Sequence, residues 1–326
     1  MAGELLNTVN FLAPVQDQIT RVETLMRSQA NACHPDLDAA LQHLLSSGGK
    51  RVRPAVALLT GEMLGGDENR LVTLAAAIEL LHTATLVHDD LIDGAFLRRG
   101  IATLNSQWSP AATVLTGDFI FARAAKLAAE TDSVAVMRLF ADTLAIIVNG
   151  EITQMFASHG LASRENYDKR IYDKTASMFE LATTAAAILS PVDDENIENM
   201  RCFGYSIGMA FQIVDDILDF TGEQATVGKP VASDLRQGLI TLPALYYLEA
   251  FPNDPDMALV LGGNHVSEAV MTRLVASIRQ SGAIQRAMGD AESYVESALD
   301  LLWQFPENTQ RNALEGLARY FVSRKF

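Results

Sequence analysis

The sequence predicts an all-α protein, a single-domain helical bundle spanning residues 1–326. Three observations point there. First, 49% of the 326 residues are hydrophobic, enough for a sizeable core, and only 10 prolines and 21 glycines interrupt them. Second, the strong helix formers Ala, Leu, Met and Glu dominate long unbroken stretches. Third, no stretch alternates apolar and polar residues long enough to make a convincing strand, which argues against a parallel sheet with crossover helices.

Helical spacing of apolar residues runs through LLNTVNFLAPVQDQITRVETLMRSQA, LDAALQHLLSS, PAVALLTGEML and NRLVTLAAAIELLHTATLVHDDL. It continues in AATVLTGDFIFARAAKLAAE, VMRLFADTLAIIVNGEITQMFA, YDKTASMFELATTAAAILS, IENMRCFGYSIGMAFQIVDDILDF and TLPALYYLEA, with two or three further helices toward the C-terminus. Breaks fall at HPD (34–36), SGGKRVRP (47–54), GGDEN (65–69), SPVDDEN (190–196) and TGEQATVGKPVASDLRQG (221–238). None is long or simple enough for a domain linker, and no repeat of solenoid length occurs.

The balance of 25 basic against 40 acidic residues, a net charge of −15, disfavours nucleic acid or an anionic membrane as a surface partner. An anionic ligand must then be held by local cations. The start, MAGELLNTVNFLAPV, has no basic region ahead of an apolar run, and no uninterrupted apolar stretch is long enough to span a bilayer. The expectation is a cytoplasmic protein without stable membrane insertion. Two cysteines, Cys33 and Cys202, are too few for a disulfide framework or a thiolate metal site.

One short pattern occurs twice. Asp89, Asp90 and Asp93 in HDDLID are matched 126 positions later by Asp215, Asp216 and Asp219 in VDDILD, each late in an apolar helix. On a helix the first and last acids of each set lie one turn apart on one face, where like charges repel. A solvated acidic helix end is the alternative for a single copy. Two copies in apolar surroundings call for cations, because half-buried carboxylates need them. Mg²⁺ fits, since it takes one or two carboxylates per ion and completes its shell with water and substrate phosphate.

Phosphate ligands stand nearby. Arg98 and Arg99 follow the first motif, and guanidinium suits bidentate phosphate contacts. In GGKRVRP, Lys50, Arg51 and Arg53 follow a Gly pair expected to end one helix, with Pro54 expected to open the next, so that a helix N-terminus faces an anion. His82 lies seven residues before Asp89 and eleven before Asp93, on their stripe of the helix. Its spacing leaves both a core histidine and a ligand open.

Taken together, GGKRVRP, HTATLVHDDLID with RRG after it, and FQIVDDILD followed by GKP and DLRQG resemble the trans-polyprenyl diphosphate synthases over nearly the whole chain. The resemblance implies a helical bundle around a deep central cavity, usually a homodimer. It also implies head-to-tail addition of isopentenyl diphosphate to an allylic diphosphate with Mg²⁺, about three ions per site in the arrangement such chemistry uses. By the same resemblance, Asp89 and Asp93 hold two ions and Asp215 a third, with Asp90, Asp216 and Asp219 assisting. Lys50, Arg53, His82 and Arg99 match the isopentenyl diphosphate site, and Arg98 an allylic diphosphate contact. Lys174 and Thr175 in DKTASM match the family's Lys-Thr pair, and Gln212 and Lys229 its allylic-site positions.

Two departures from the family pattern stand out. Leu239 follows DLRQG where a lysine is common, and Gly94 and Ala95 replace polar residues. Product length is expected to depend on Leu81, Ala84 and Thr85, which lie below the first motif. Small residues there leave room for a long chain, unless Phe140 or Ile147 closes the floor. The rival readings are a non-catalytic subunit of a heteromeric synthase, a class I terpene cyclase and a plain divalent-ion-binding helical protein. Retention of both acidic motifs opposes the first. The isopentenyl-site cations Lys50 and Arg53 oppose the second, and the arginines and absence of an EF-hand loop oppose the third.

Overall fold

The computed structural model describes residues 11–31, 34–46, 48–98, 100–156, 163–222, 231–263 and 266–324. Helices dominate, as the spacing predicts. Their starts are set by local chemistry: Asp67, Ser109, Ser163, Asp254 and Ser267 each accept a hydrogen bond from a backbone N–H in the first turn that follows. Among the described residues the only strands are Leu97–Arg98 and Ile101–Ala102, an antiparallel pair turned at Gly100, whose φ is +78°.

The contacts gather into two compact units. The first comprises Met1–Leu144, Met178–Arg201 and Leu302–Gly316, and its centre is the helix Glu68–Ile92. That helix packs against Gln16–Ser28, Val52–Met63 and Pro110–Ala129. By length and composition it could cross a membrane, but 72% of its most apolar window is buried in the protein, which makes it a core helix. The second unit comprises Ala145–Ser177, Cys202–Leu301 and Leu317–Phe326. In it Leu242–Ala250 packs on Arg164–Ile171 and on Glu268–Gln280.

Four details depart from the sequence reading. Pro54 is the third residue of the helix Val52–Met63, not its first. A first-turn residue has no intrahelical N–H bond to lose, so proline is tolerated throughout that turn. Among the described residues, which start at Phe11, the first regular helix begins at Gln16, after a short 3-10 turn, Ala13–Val15, that holds Pro14. Among the described residues four helices, not two or three, follow Ala250: Pro255–Leu261, Glu268–Gln280, Ala283–Leu302 and Thr309–Ser323. Finally, the stretch around DKTASM is not one uniform helix. Arg164–Ile171 passes through a five-residue π turn, Tyr172–Ala176, into Ser177–Ile188.

Candidate functional site

The first acidic motif closes the core helix of the first unit. Asp93 caps it, and its N–H donates to the Asp89 carbonyl (2.8 Å), so the two residues sit one turn apart. Gly94 then takes the left-handed conformation (φ +61°). The Ala95 N–H reaches back to the Asp90 carbonyl (2.9 Å) and the Gly94 N–H to that of Leu91 (3.3 Å), which is the Schellman arrangement. Glycine thus has a structural reason to follow this motif.

Asp90 points elsewhere. It is buried, and the Arg98 guanidinium grips both of its oxygens at 2.8–3.1 Å. The pair ties the small hairpin to the end of the core helix. Asn105 adds amide hydrogen bonds to the carbonyls of Asp90 (3.2 Å) and Ala95 (3.0 Å). His88, just before the motif, fits against Gly117, where any Cβ would lie 2.1 Å from its ring nitrogen.

Within GGKRVRP the three cations divide their tasks. Arg51 adopts φ +47° and is pinned by Glu79 and Glu23, each at 2.9 Å, so it serves the fold and not an incoming anion, contrary to its expected place in the anion cluster. Lys50 precedes it on the exposed chain. Arg53 lies in the first turn of the next helix, half-buried, its guanidinium 5.1 Å from the ring centre of Phe179. His82 is half-buried on the core helix, while Leu81, Ala84 and Thr85 are buried on it, as are Phe140 and Ile147 on Val134–Phe156. Arg99, Lys229 and Cys33 lie outside the described residues.

The second motif sits near the end of the helix Asp194–Thr221, and its acids have different partners. Asp215 is half-buried and pairs with Arg324 (2.8 Å), whose guanidinium also stacks on Phe211 at 4.3 Å. Asp219 accepts from the Ser233 N–H and hydroxyl (both 3.1 Å) and from the Asp234 N–H (3.3 Å), ordering the DLR turn. That turn ends at Gly238 (φ +80°), with the Leu239 N–H returned to the Asp234 carbonyl (2.9 Å). Leu239 therefore occupies the position after a left-handed helix stop, where an apolar residue is common.

Asp216 is buried and meets neutral donors, the Tyr167 hydroxyl and the Gln212 amide, each at 2.8 Å. Burial first, and then the charge of Asp234, push its carboxyl up to about 7, against the pull of those two hydrogen bonds. The Gln212 amide oxygen in turn accepts from the Thr175 hydroxyl (2.7 Å). Thr175 and Lys174 sit on the π turn, and Lys174 pairs with Glu151 (2.9 Å). Glycines let this turn pack closely: a Cβ on Gly208 would lie 2.6 Å from the Ala176 Cα, and one on Gly150 2.6 Å from the Asp173 Cβ. Such π turns are frequent at functional sites.

The sequence reading missed Tyr167, Glu151 and Arg324, which contact site residues from 23 to 109 positions away and carry no motif of their own. Among the described residues no three or more His, Cys, Asp or Glu side chains converge as a metal-ligand set. A cation that uses one or two carboxylates and fills its shell from water and phosphate needs no such set. Asp89 and Asp93, one turn apart at a helix end, and the half-buried Asp215 are hard oxygen donors of the kind it uses.

The family model for polyprenyl synthetase matches residues 34–278. This chain belongs to the polyprenyl synthetase family. Being a member, it is a prenyltransferase with the all-α isoprenoid synthase fold. It is 35% identical to heptaprenyl diphosphate synthase component 2 of Geobacillus stearothermophilus over 96% of this chain and 97% of that protein. It is also 35% identical to octaprenyl diphosphate synthase of Escherichia coli (strain K12), over 86% and 88% of the two chains. Among solved structures, a polyprenyl synthase from Caulobacter crescentus CB15, complexed with calcium and isoprenyl diphosphate, matches with a TM-score of 0.91. That match has 35% identity and covers 97% of this chain and 98% of the other.

Proposed function

We propose that this polyprenyl synthetase condenses isopentenyl diphosphate head-to-tail with an allylic diphosphate, giving an all-trans product of geranylgeranyl length or longer. The observation that carries the reading is the pair of aspartate rows, each with a half-buried or exposed first and last acid, in a chain of this family. Magnesium, about three ions held by Asp89, Asp93 and Asp215, supplies positive charge to the oxygens of the departing diphosphate.

Lys50, Arg53 and His82 bind the isopentenyl diphosphate, together with Arg99. Arg98, anchored through Asp90, faces the allylic diphosphate with Lys174 and Lys229. The allylic carbon–oxygen bond breaks heterolytically and its electron pair leaves with the diphosphate, whose growing charge these cations stabilise. Thr175 and Gln212 turn oxygen dipoles to the allylic cation. The isopentenyl double bond then supplies the pair for the new carbon–carbon bond, and the displaced diphosphate accepts the proton lost in the final step. Apolar side chains around the acids keep water from the cation.

Small residues at Ala84 and Thr85, and relatives named for seven- and eight-unit products, support a long chain. The enzyme works as a cytoplasmic homodimer in this reading. Exposed Val148, Ile152, Met155 and Phe156 on one face of Val134–Phe156 support burial against a second copy. A relative named as one component of a synthase favours a second reading, in which this chain needs a different partner.

The test is incubation of the purified protein with Mg²⁺, farnesyl or geranylgeranyl diphosphate and labelled isopentenyl diphosphate, followed by chromatography of the product. An extended diphosphate is expected. No incorporation by folded protein would favour the heteromeric reading.

A further inference from the structure

Four side chains of the second unit form a continuous hydrogen-bond chain: Tyr167 hydroxyl to Asp216, Gln212 amide nitrogen to Asp216, Thr175 hydroxyl to the Gln212 amide oxygen, at 2.8, 2.8 and 2.7 Å. Tyr167, Asp216 and Thr175 are buried, with relative exposures of 2%, 4% and 5%. The chain has a direction. The part of Gln212 that meets Asp216 is its NH₂, which donates to a carboxylate oxygen. The amide oxygen then faces Thr175, and Thr175 has to donate its single proton to it. With that proton committed, both hydroxyl lone pairs point away from Gln212. With the amide reversed, two acceptors would meet at Asp216 and the Thr175 proton would be released.

We propose that Tyr167 and Asp216 are positioning residues that fix the Gln212 amide and, through it, commit the Thr175 proton, so that the threonine presents lone pairs to the developing allylic cation. The direction is set by the buried carboxylate; Tyr167 holds that carboxylate in place with a second donor on its other oxygen. The inference rests on the cation-stabilising role given above to Thr175. It also accounts for an otherwise costly feature, a buried acid whose hydrogen-bond partners Tyr167 and Gln212 are both neutral.

A double-mutant cycle tests it. Tyr167→Phe is expected to lower kcat about 10-fold with both KM values unchanged, the scale of one hydrogen bond to a charged group. Asp216→Asn, whose amide can meet Gln212 with either end, is expected to lower kcat about 100-fold, while Mn²⁺ affinity holds. In a Thr175→Val background the Tyr167→Phe change should cost less than about 2-fold, because its effect runs through the hydroxyl already removed. Thr175→Ser, which keeps the hydroxyl, should restore the sensitivity to Tyr167→Phe.

An unchanged kcat in Tyr167→Phe overturns the proposal. So does an equal penalty in both backgrounds, or a loss confined to KM or to the unfolding midpoint. If the wild type makes no condensed product, the activity reading falls separately. The side-chain amide resonances of Gln212 then decide the chain: shifts in Tyr167→Phe and Asp216→Asn uphold it, and unmoved resonances refute it.

Discussion

Asp90 and Asp216 occupy the same place in two copies of one five-residue pattern, both buried, yet each is satisfied differently. Asp90 meets a cation, Arg98, through a bidentate pair that ties a hairpin to a helix end. Asp216 meets the neutral donors Tyr167 and Gln212, and burial pushes it up to about 7. The flanking acids diverge too. Asp93 ends its helix under a glycine stop, whereas Asp219 lies inside a helix and orders the next turn with its side chain. A repeated motif therefore specifies repeated spacing, while the dielectric and the partners are set locally by whatever the fold packs against each copy.

The comparison breaks most visibly at the outer acids, where the two motifs are expected to behave alike. Asp89→Ala or Asp215→Ala should each cut turnover by about 10³-fold or more while circular dichroism and the unfolding midpoint stay near wild type. Near-normal turnover in either would remove that motif from the metal assignment.

At the middle acids the motifs should differ. Asp90→Ala leaves Arg98 without the partner that anchors its hairpin, and because that guanidinium is 35% exposed the discounted cost is about 2 kcal/mol in urea unfolding. Thermal melts of metal-free protein across pH sharpen the contrast. Asp216 has its folded-state value raised from an ordinary 3.8 to about 7, so the folded protein holds this proton more tightly than the unfolded chain does. Its contribution to stability is complete below about pH 4 and is lost as pH rises through about 7. The melting-point difference between Asp216→Asn and wild type should therefore move in favour of the variant from pH 5 to 8. A flat difference would contradict the assigned burial effect.

The smallest expected effect concerns Arg324, which pairs with Asp215, one of the acids proposed to hold metal. Arg324→Gln should tighten Mn²⁺ binding by roughly 2- to 5-fold, the scale of a partly exposed ion pair. Calorimetry on the metal alone checks this without turnover, and weaker binding would show that the arginine organises the site.

Much of the fold was legible because long apolar periodicity is strong along Glu68–Ile92 and Asp194–Thr221. The π turn at Tyr172–Ala176 was not, since a single inserted residue barely disturbs that periodicity. Of the site, the aspartate rows and the Lys-Thr pair could be read from spacing and family resemblance. The division of work in GGKRVRP could not: Lys50, Arg51 and Arg53 look equivalent in sequence, and only the ion pairs with Glu23 and Glu79 take Arg51 out of the anion cluster. Tyr167 and Arg324 went unseen for the same reason, as their partners are distant in the chain.

By itself, then, the sequence determined the all-α class, the family, and which acids share a helical face, because these follow from residue type and from spacing along one helix. Tertiary structure alone decided which acid is paired with a cation, which with a phenol and an amide, and which way that amide faces. Burial and hydrogen-bond direction depend on atoms brought together from separate segments, and no spacing within one segment encodes them.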